Sequence, residues 1–156
     1  MTINSLKDRC PLCNDAPEMH AFILNLFLTH KRIMQYSEKI FAAHGFTTLE
    51  FDTLATLLRV ADNGLMKPSE IYKNLIVSSG GITKVLKKFE ELKLIIRIPD
   101  PDDKRSHWVE ITPKGEAIGL EILKEIIQAH KNNLKATAKE LQSMGDKLEK
   151  IVEQLN

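Results

Sequence analysis

The chain has 156 residues, of which 43% are hydrophobic and 28% charged, and its formal net charge is +1. That length supports one domain with a proper core, or one domain with helical arms, and the near-neutral balance excludes a histone-like protein that holds nucleic acid through bulk positive charge. No apolar run approaches the roughly 20 residues needed to span a bilayer, and the opening MTINSLKDRC lacks a signal-peptide core, so a cytoplasmic protein with no membrane partner is expected.

Residues 1–17 contain Pro11, Asn14, Asp15 and Pro17, show no period, and are expected to form an irregular N-terminal arm. The arm carries the only two cysteines, Cys10 and Cys13, as Cys-Pro-Leu-Cys. A closed zinc site wants four ligands, and only His20 lies near as a third. A zinc site shared by two subunits, a thiol switch that responds to oxidants, and an incidental pair on a tail all stay open. No cofactor is required.

From Glu18 a helical rhythm sets in through Phe22, Ile23, Leu26, Phe27, His30, Ile33, Met34, Ser37, Ile40 and Phe41, with Gly45 as the expected C-terminal cap. A helix over about 18–44 is too long and too apolar for a small domain to cover alone, so part of it is expected to pack on a partner chain. Histidines such as His30 and His44 are more often packed or solvated than ligands. Met34, Tyr36 and Phe51 are equally what a core or a small-molecule pocket would use, and no ligand-binding residue is assigned.

Thr47-Thr48-Leu49-Glu50 fits a capping box, and the helix it opens carries Phe51, Leu54, Ala55, Leu58 and Ala61 before Asp62-Asn63-Gly64 ends it. Pro68 is preset for the first turn of a short helix through Leu75, with Ile71 and Leu75 toward the core. A tight link then leads into VSSGGITKVLKKFEEL, residues 77–92. Here Ile82, Val85, Leu86, Phe89 and Leu92 make one buried stripe, while Ser79, Thr83, Lys84, Lys87 and Lys88 make the other face. The entry Ser78-Ser79-Gly80-Gly81 offers a serine cap and little bulk, so the helix is shaped to present its N-terminus to an anion such as a DNA groove. Taken alone, the stretch also fits an amphipathic helix whose lysines only keep it soluble. Two short helices joined by a tight link, the second polar at its tip, form a helix-turn-helix.

Leu94-Ile95-Ile96-Arg97-Ile98 is strand-like, Pro99-Asp100-Pro101-Asp102-Asp103 a turn, and Ser106 to Ile111 alternates as a returning strand, giving a β-hairpin wing with Lys104 and Arg105 just past its tip. From Lys84 to Arg97 there are five basic residues against two acidic ones, so positive charge is placed locally. Thr112-Pro113 starts a helix with Ile118, Ile122, Leu123, Ile126 and Ile127 on its apolar face. After a break near Asn133 to Thr137, Leu141, Met144, Leu148, Ile151, Val152 and Leu155 recur near the spacing of helices packed side by side, on its own core or on a second subunit. The fold class is therefore mainly α with a small β-hairpin wing: a winged helix-turn-helix core at about 47–112, flanked by dimerisation helices at about 18–44 and 113–156 in a single domain. No phosphate-binding glycine loop, His-Glu-x-x-His or Gly-x-Ser-x-Gly is present, and the chain is not expected to be an enzyme.

Lys67-Pro68-Ser69-Glu70-Ile71, the 77–83 entry, Phe89-Glu90-Glu91-Leu92, Asp100 to Arg105 and Val109-Glu110-Ile111-Thr112-Pro113-Lys114-Gly115 together resemble the winged-helix core of the MarR family of bacterial transcription regulators. The most specific part is Asp-x-Arg followed by Val-x-Ile-Thr-x-x-Gly. The resemblance implies a homodimeric repressor in which Asp103 orients Arg105 into the minor groove of a pseudo-palindromic operator. Ser79, Thr83 and Lys84 would face the major groove, and a small ligand or oxidant would release the DNA. Ser78, Gly80 and Gly81 lie at the tip of the helix, and Lys84, Lys87, Lys88 and Lys104 suit phosphates. Gly80 and Gly81 stand where family members often carry larger side chains. The alternative is a winged-helix module that contacts another protein and has no specific DNA binding.

Overall fold

A computed structural model describes residues 16–60, 65–76, 81–100 and 106–155. Among these, six helices and three strands follow one another: α1 (Pro17–Ala43), α2 (Thr48–Val60), β1 (Leu65–Met66), α3 (Pro68–Asn74), α4 (Ile82–Glu91), β2 (Ile95–Pro99), β3 (His107–Ile111), α5 (Pro113–Asn133) and α6 (Ala138–Gln154). One compact unit ends at Ile126 and a second begins at Ile127.

The helix ends follow local chemistry. Gly45, at φ +75, lets α1 close in a Schellman turn, in which the Phe46 amide donates to the Phe41 carbonyl at 2.8 Å and the Gly45 amide to that of Ala42 at 3.0 Å. Two residues on, the capping box is present: the Thr47 amide donates to Glu50 Oε2 at 2.8 Å and the Glu50 amide to Thr47 Oγ1 at 3.3 Å.

Helix α2 is the centre of the first unit and packs on α1, α3, α4 and β3. Because neighbours surround it, its buried face is wider than the Phe51, Leu54, Ala55, Leu58 stripe: Leu57, Thr53 and Thr56 are buried too. Thr53 is satisfied by donating to the Leu49 carbonyl at 2.7 Å. The rest of the core comes from Phe41, Phe46, Met66, Ile71, Val85, Leu86, Phe89, Leu94, Ile95, Val109 and Ile122. Phe41 stacks on Phe51 at 4.4 Å between centroids, and Phe46 meets Phe89 edge-on at 6.0 Å.

The hairpin is part of a three-stranded antiparallel sheet in the order β1-β3-β2. Strand β1 has no periodicity to betray it, since it is two residues long and pairs only Leu65 with Glu110 and Met66 with Val109. Pro99, expected in the turn, ends β2 opposite His107; β2 is an edge strand, where a missing amide leaves no ladder bond unmade. Leu92, expected in the buried stripe, is exposed because it is the C-cap of α4, where the helix has already turned away.

The break after α5 falls where the sequence places it, and Thr137 and Glu140 form a second capping box that starts α6. Apolar side chains reach solvent on three long helices: α1 exposes Met19, Phe22, Ile23, Leu26 and Phe27, α5 exposes Leu120, Leu123 and Ile127, and α6 exposes Leu141, Met144, Leu148 and Val152. Among the described residues no helix is long and apolar enough to cross a membrane.

Candidate nucleic-acid interface

Helix α4 begins at Gly81, whose φ of +98 a side-chain-bearing residue rarely adopts. Gly81 is the N-cap and offers no side chain to this turn, whose Lys84 amide donates to the Gly81 carbonyl at 2.9 Å, while the serines expected to cap it lie outside the described residues. Val85, Leu86 and Phe89 point into the core, while Thr83, Lys84 and Lys87 are exposed. Lys87 lies 3.9 Å from Glu91, a pair between exposed groups that water screens and that leaves the ammonium free to exchange partners.

Lys88 is committed inward. Its Nζ donates to Glu50 Oε1 at 2.8 Å and to the Gly45 carbonyl at 3.2 Å, and stands 5.7 Å from the centre of the Phe46 ring. Burial alone would raise the Glu50 pKa, but hydrogen bonds from Lys88 and the Thr47 amide, the Lys88 charge and the Thr47 hydroxyl outweigh it and hold the carboxyl below its usual 4.5. The ion pair thus fastens α4 to the start of α2. Asp52, also buried, accepts from the Ile76 amide at 2.7 Å and so pins the exit from α3 to the same helix.

The far end of α4 is sewn to the start of α5. A Schellman turn brings Lys93 to φ +59, with the Leu94 amide donating to the Phe89 carbonyl at 2.8 Å. Thr112 Oγ1 donates to the Lys93 carbonyl at 2.8 Å and accepts from the Gly115 amide at 3.1 Å, the Thr112 amide donates to the Leu94 carbonyl at 2.9 Å, and Lys114 Nζ donates to the Leu92 carbonyl at 2.8 Å. A Cβ on Gly115 would collide with the Leu94 carbonyl oxygen. The Thr-x-x-Gly of the sequence is this junction.

At the root of the wing the Asp100 amide donates to the Ser106 carbonyl at 3.1 Å. The Asp100 carboxylate is buried and pairs with Lys67 Nζ at 2.8 Å, and that ammonium stands 4.7 Å from the centre of the Trp108 ring. Sequence reading left Lys67 and Trp108 without a role and gave Asp100 only a turn. The available signal was a lysine, which has no acceptor, at a helix N-cap before Pro68. Arg97 pairs with Glu90 at 3.1 Å across β2 and α4.

Ser78, Ser79, Gly80, Asp103, Lys104, Arg105, Cys10 and Cys13 lie outside the described residues. Among those described, no cluster of three His, Cys, Asp or Glu side chains could hold a metal ion. Phe51 borders a mostly apolar cleft of about 310 Å³ between α2 and α5, with Ala55, Leu58, Leu120 and Leu123. Tyr36 lies apart from it on α1, in a groove with Arg32 and Lys39.

Helix-turn-helix α3–α4 followed by the β2–β3 hairpin defines a winged helix. The model of the MarR family matches residues 44–106. The HTH-type transcriptional regulator MhqR of Bacillus subtilis is 33% identical over 111 residues, which cover 69% of this chain and 72% of MhqR. PecS of Dickeya dadantii, also an HTH-type transcriptional regulator, is 27% identical over 103 residues, covering 66% of this chain and 62% of PecS, less than two thirds of its length. A crystal structure of a MarR mutant from E. coli complexed with operator DNA superposes with a TM-score of 0.62 at 25% identity, covering 83% of this chain and 94% of that one. The chain belongs to the MarR family of winged-helix transcription regulators.

Proposed function

We propose that the chain is a sequence-specific, double-stranded DNA-binding regulator of transcription that acts as a homodimeric repressor. The observation that carries this reading is the free face of α4, where Gly81, Thr83, Lys84 and Lys87 face solvent opposite the buried Val85, Leu86 and Phe89. In a major groove Thr83 and the Ser78 to Gly81 entry would meet base edges and backbone, while Lys84, Lys87 and Lys104 would meet phosphates. Arg105, oriented by Asp103, would enter the adjacent minor groove, where a guanidinium held by a carboxylate loses little entropy on insertion. Lys88, held by Glu50, serves the seating of the helix.

The apolar side chains on α1 and α6 support a homodimer, since Phe27 is 65% and Val152 58% exposed in the single chain. Two copies would place two recognition helices on successive turns of a pseudo-palindromic operator. Release by a small ligand or by an oxidant, with Cys10 and Cys13 as a thiol pair or zinc site, completes the reading, which requires no resident cofactor.

Selection of bound sequences from random duplex DNA, with and without oxidant, tests it, followed by gel-shift titration of the recovered duplex. Specific retention over competitor is expected, with a steep loss of affinity as salt rises. Arg105→Ala should weaken binding about tenfold or more without loss of fold. A protein that is monomeric by light scattering, or that prefers no duplex over competitor, overturns the reading, the latter in favour of a protein-interaction module.

A further inference from the structure

We propose that Lys67 is a positioning residue for the wing: its ion pair with Asp100 ties the end of β2 to the start of α3, and Trp108 reports the state of that pair. The proposal rests on the DNA-binding reading above. Lys67 is the N-cap of α3, a place where Ser, Thr, Asp or Asn would accept a hydrogen bond and where lysine cannot. Glu70 does the capping instead, its Oε2 accepting from the Lys67 amide at 2.9 Å. The ammonium is thereby released for another contact, and it reaches Asp100 Oδ2 at 2.8 Å beneath the face of Trp108, 4.7 Å from the ring centre.

The pair is uneven. The Asp100 side chain is 2% exposed and that of Lys67 38%, so a carboxylate has been taken out of water and a half-exposed lysine brought to it. Such a pair adds little stability over two apolar residues, because desolvation consumes most of the attraction. What it adds here is attachment. Asp100 follows β2 directly, Trp108 sits in β3, and the Asp100 amide is bonded to the Ser106 carbonyl at 3.1 Å. One ammonium at the start of α3 therefore touches both strands of the hairpin, at Asp100 after β2 and at Trp108 in β3. Lys84 and Lys87, which the reading assigns to phosphates, have no comparable anchorage among the described residues.

The sole tryptophan of the chain makes the contact visible in solution. The test uses full-length protein, Lys67→Met combined with Asp100→Asn so that no lone buried charge remains, and Lys67→Arg, each with and without Arg105→Ala. Readouts are the affinity for the duplex recovered from random selection, the slope of affinity against salt, Trp108 emission and the thermal melt. The neutral pair is expected to bind about tenfold more weakly at fixed salt, with an unchanged salt slope and a shifted Trp108 emission, while Lys67→Arg keeps wild-type affinity. In the Arg105→Ala background the neutral pair should cost nothing further, because it acts through the wing. An additive loss with a shallower salt slope makes Lys67 a direct phosphate contact and overturns the proposal. So does wild-type affinity in the neutral pair, and so does a neutral pair that no longer melts cooperatively, which makes the contact structural. Wild-type protein that prefers no duplex overturns the DNA-binding reading itself, and is told apart from these outcomes by the wild-type titration alone.

Discussion

Glu50→Ala removes two contacts made by one carboxylate. Oε2 closes the capping box by accepting from the Thr47 amide at 2.8 Å, and Oε1 accepts from Lys88 Nζ at 2.8 Å. Loss of the cap costs about 1 kcal/mol. Because Lys88 is 39% exposed, the ion pair contributes about 1 kcal/mol rather than the larger figure for a pair sealed from water. The sum of about 2 kcal/mol should lower Tm by about 4–8 °C for a chain of this size, read by circular dichroism. Glu50→Gln separates the two, since an amide oxygen still accepts from Thr47 and only the charge is lost, so about half the effect is expected. The pH dependence gives the sharper check. The native carboxyl titrates below 4.5, so its charge stabilises the fold above that value and the benefit is lost as pH falls through the native pKa. Urea midpoints of wild type and Glu50→Gln should differ at neutral pH and converge below pH 4.5. A gap that stays constant down to pH 3, or an alanine variant with unchanged Tm, would refute the double role.

Gly115→Ala should destabilise the protein by about 3 kcal/mol or more, because its methyl would meet the backbone of Leu94, whereas Gly119→Ala should cost about 1–2 kcal/mol, since the side chains of Leu58 and Leu54 can shift; equilibrium denaturation of both variants checks the order. Lys93→Gly should raise stability by about 0.5–1 kcal/mol by relieving the left-handed turn at φ +59, with an unchanged or lower midpoint counting against a strained cap. Met144→Glu with Leu148→Glu, on the exposed face of α6, should shift the proposed homodimer to monomer in light scattering while leaving its helix content intact; an unshifted dimer would remove that face from the proposed interface.

Much of this fold was legible because it is written in local chemistry. Thr47 and Glu50, Gly45, Pro68, Pro113 and the Asn133 to Thr137 break each act within a few residues of themselves, and the structure puts helix ends where they stand. The apolar stripe of α4 was readable for the same reason, as its period is that of one helix. What escaped is non-local. Strand β1 exists only because β3 lies beside it, and Leu57 is buried only because α2 is surrounded on most sides. The ammonium of Lys88 has its partner 38 residues away, beyond any sequence window. At the candidate site, the exposure of Thr83, Lys84 and Lys87 follows from the helical period, but which lysine reaches outward and which turns in depends on Glu50, and nothing in the spacing of lysines encodes that.

The suture between the end of α4 and the start of α5 makes these two helices a bell-crank. Thr112 and Lys114 hold three successive carbonyls, those of Leu92, Lys93 and Leu94, and Gly115 leaves no room for a side chain against the last of them. A tilt of the first turns of α5 would therefore carry the C-terminal end of α4 with it. Over a ten-residue helix, about 15 Å long, each 5° of such a rotation would sweep the tip at Gly81 by a little over 1 Å, more than the tolerance of a hydrogen bond.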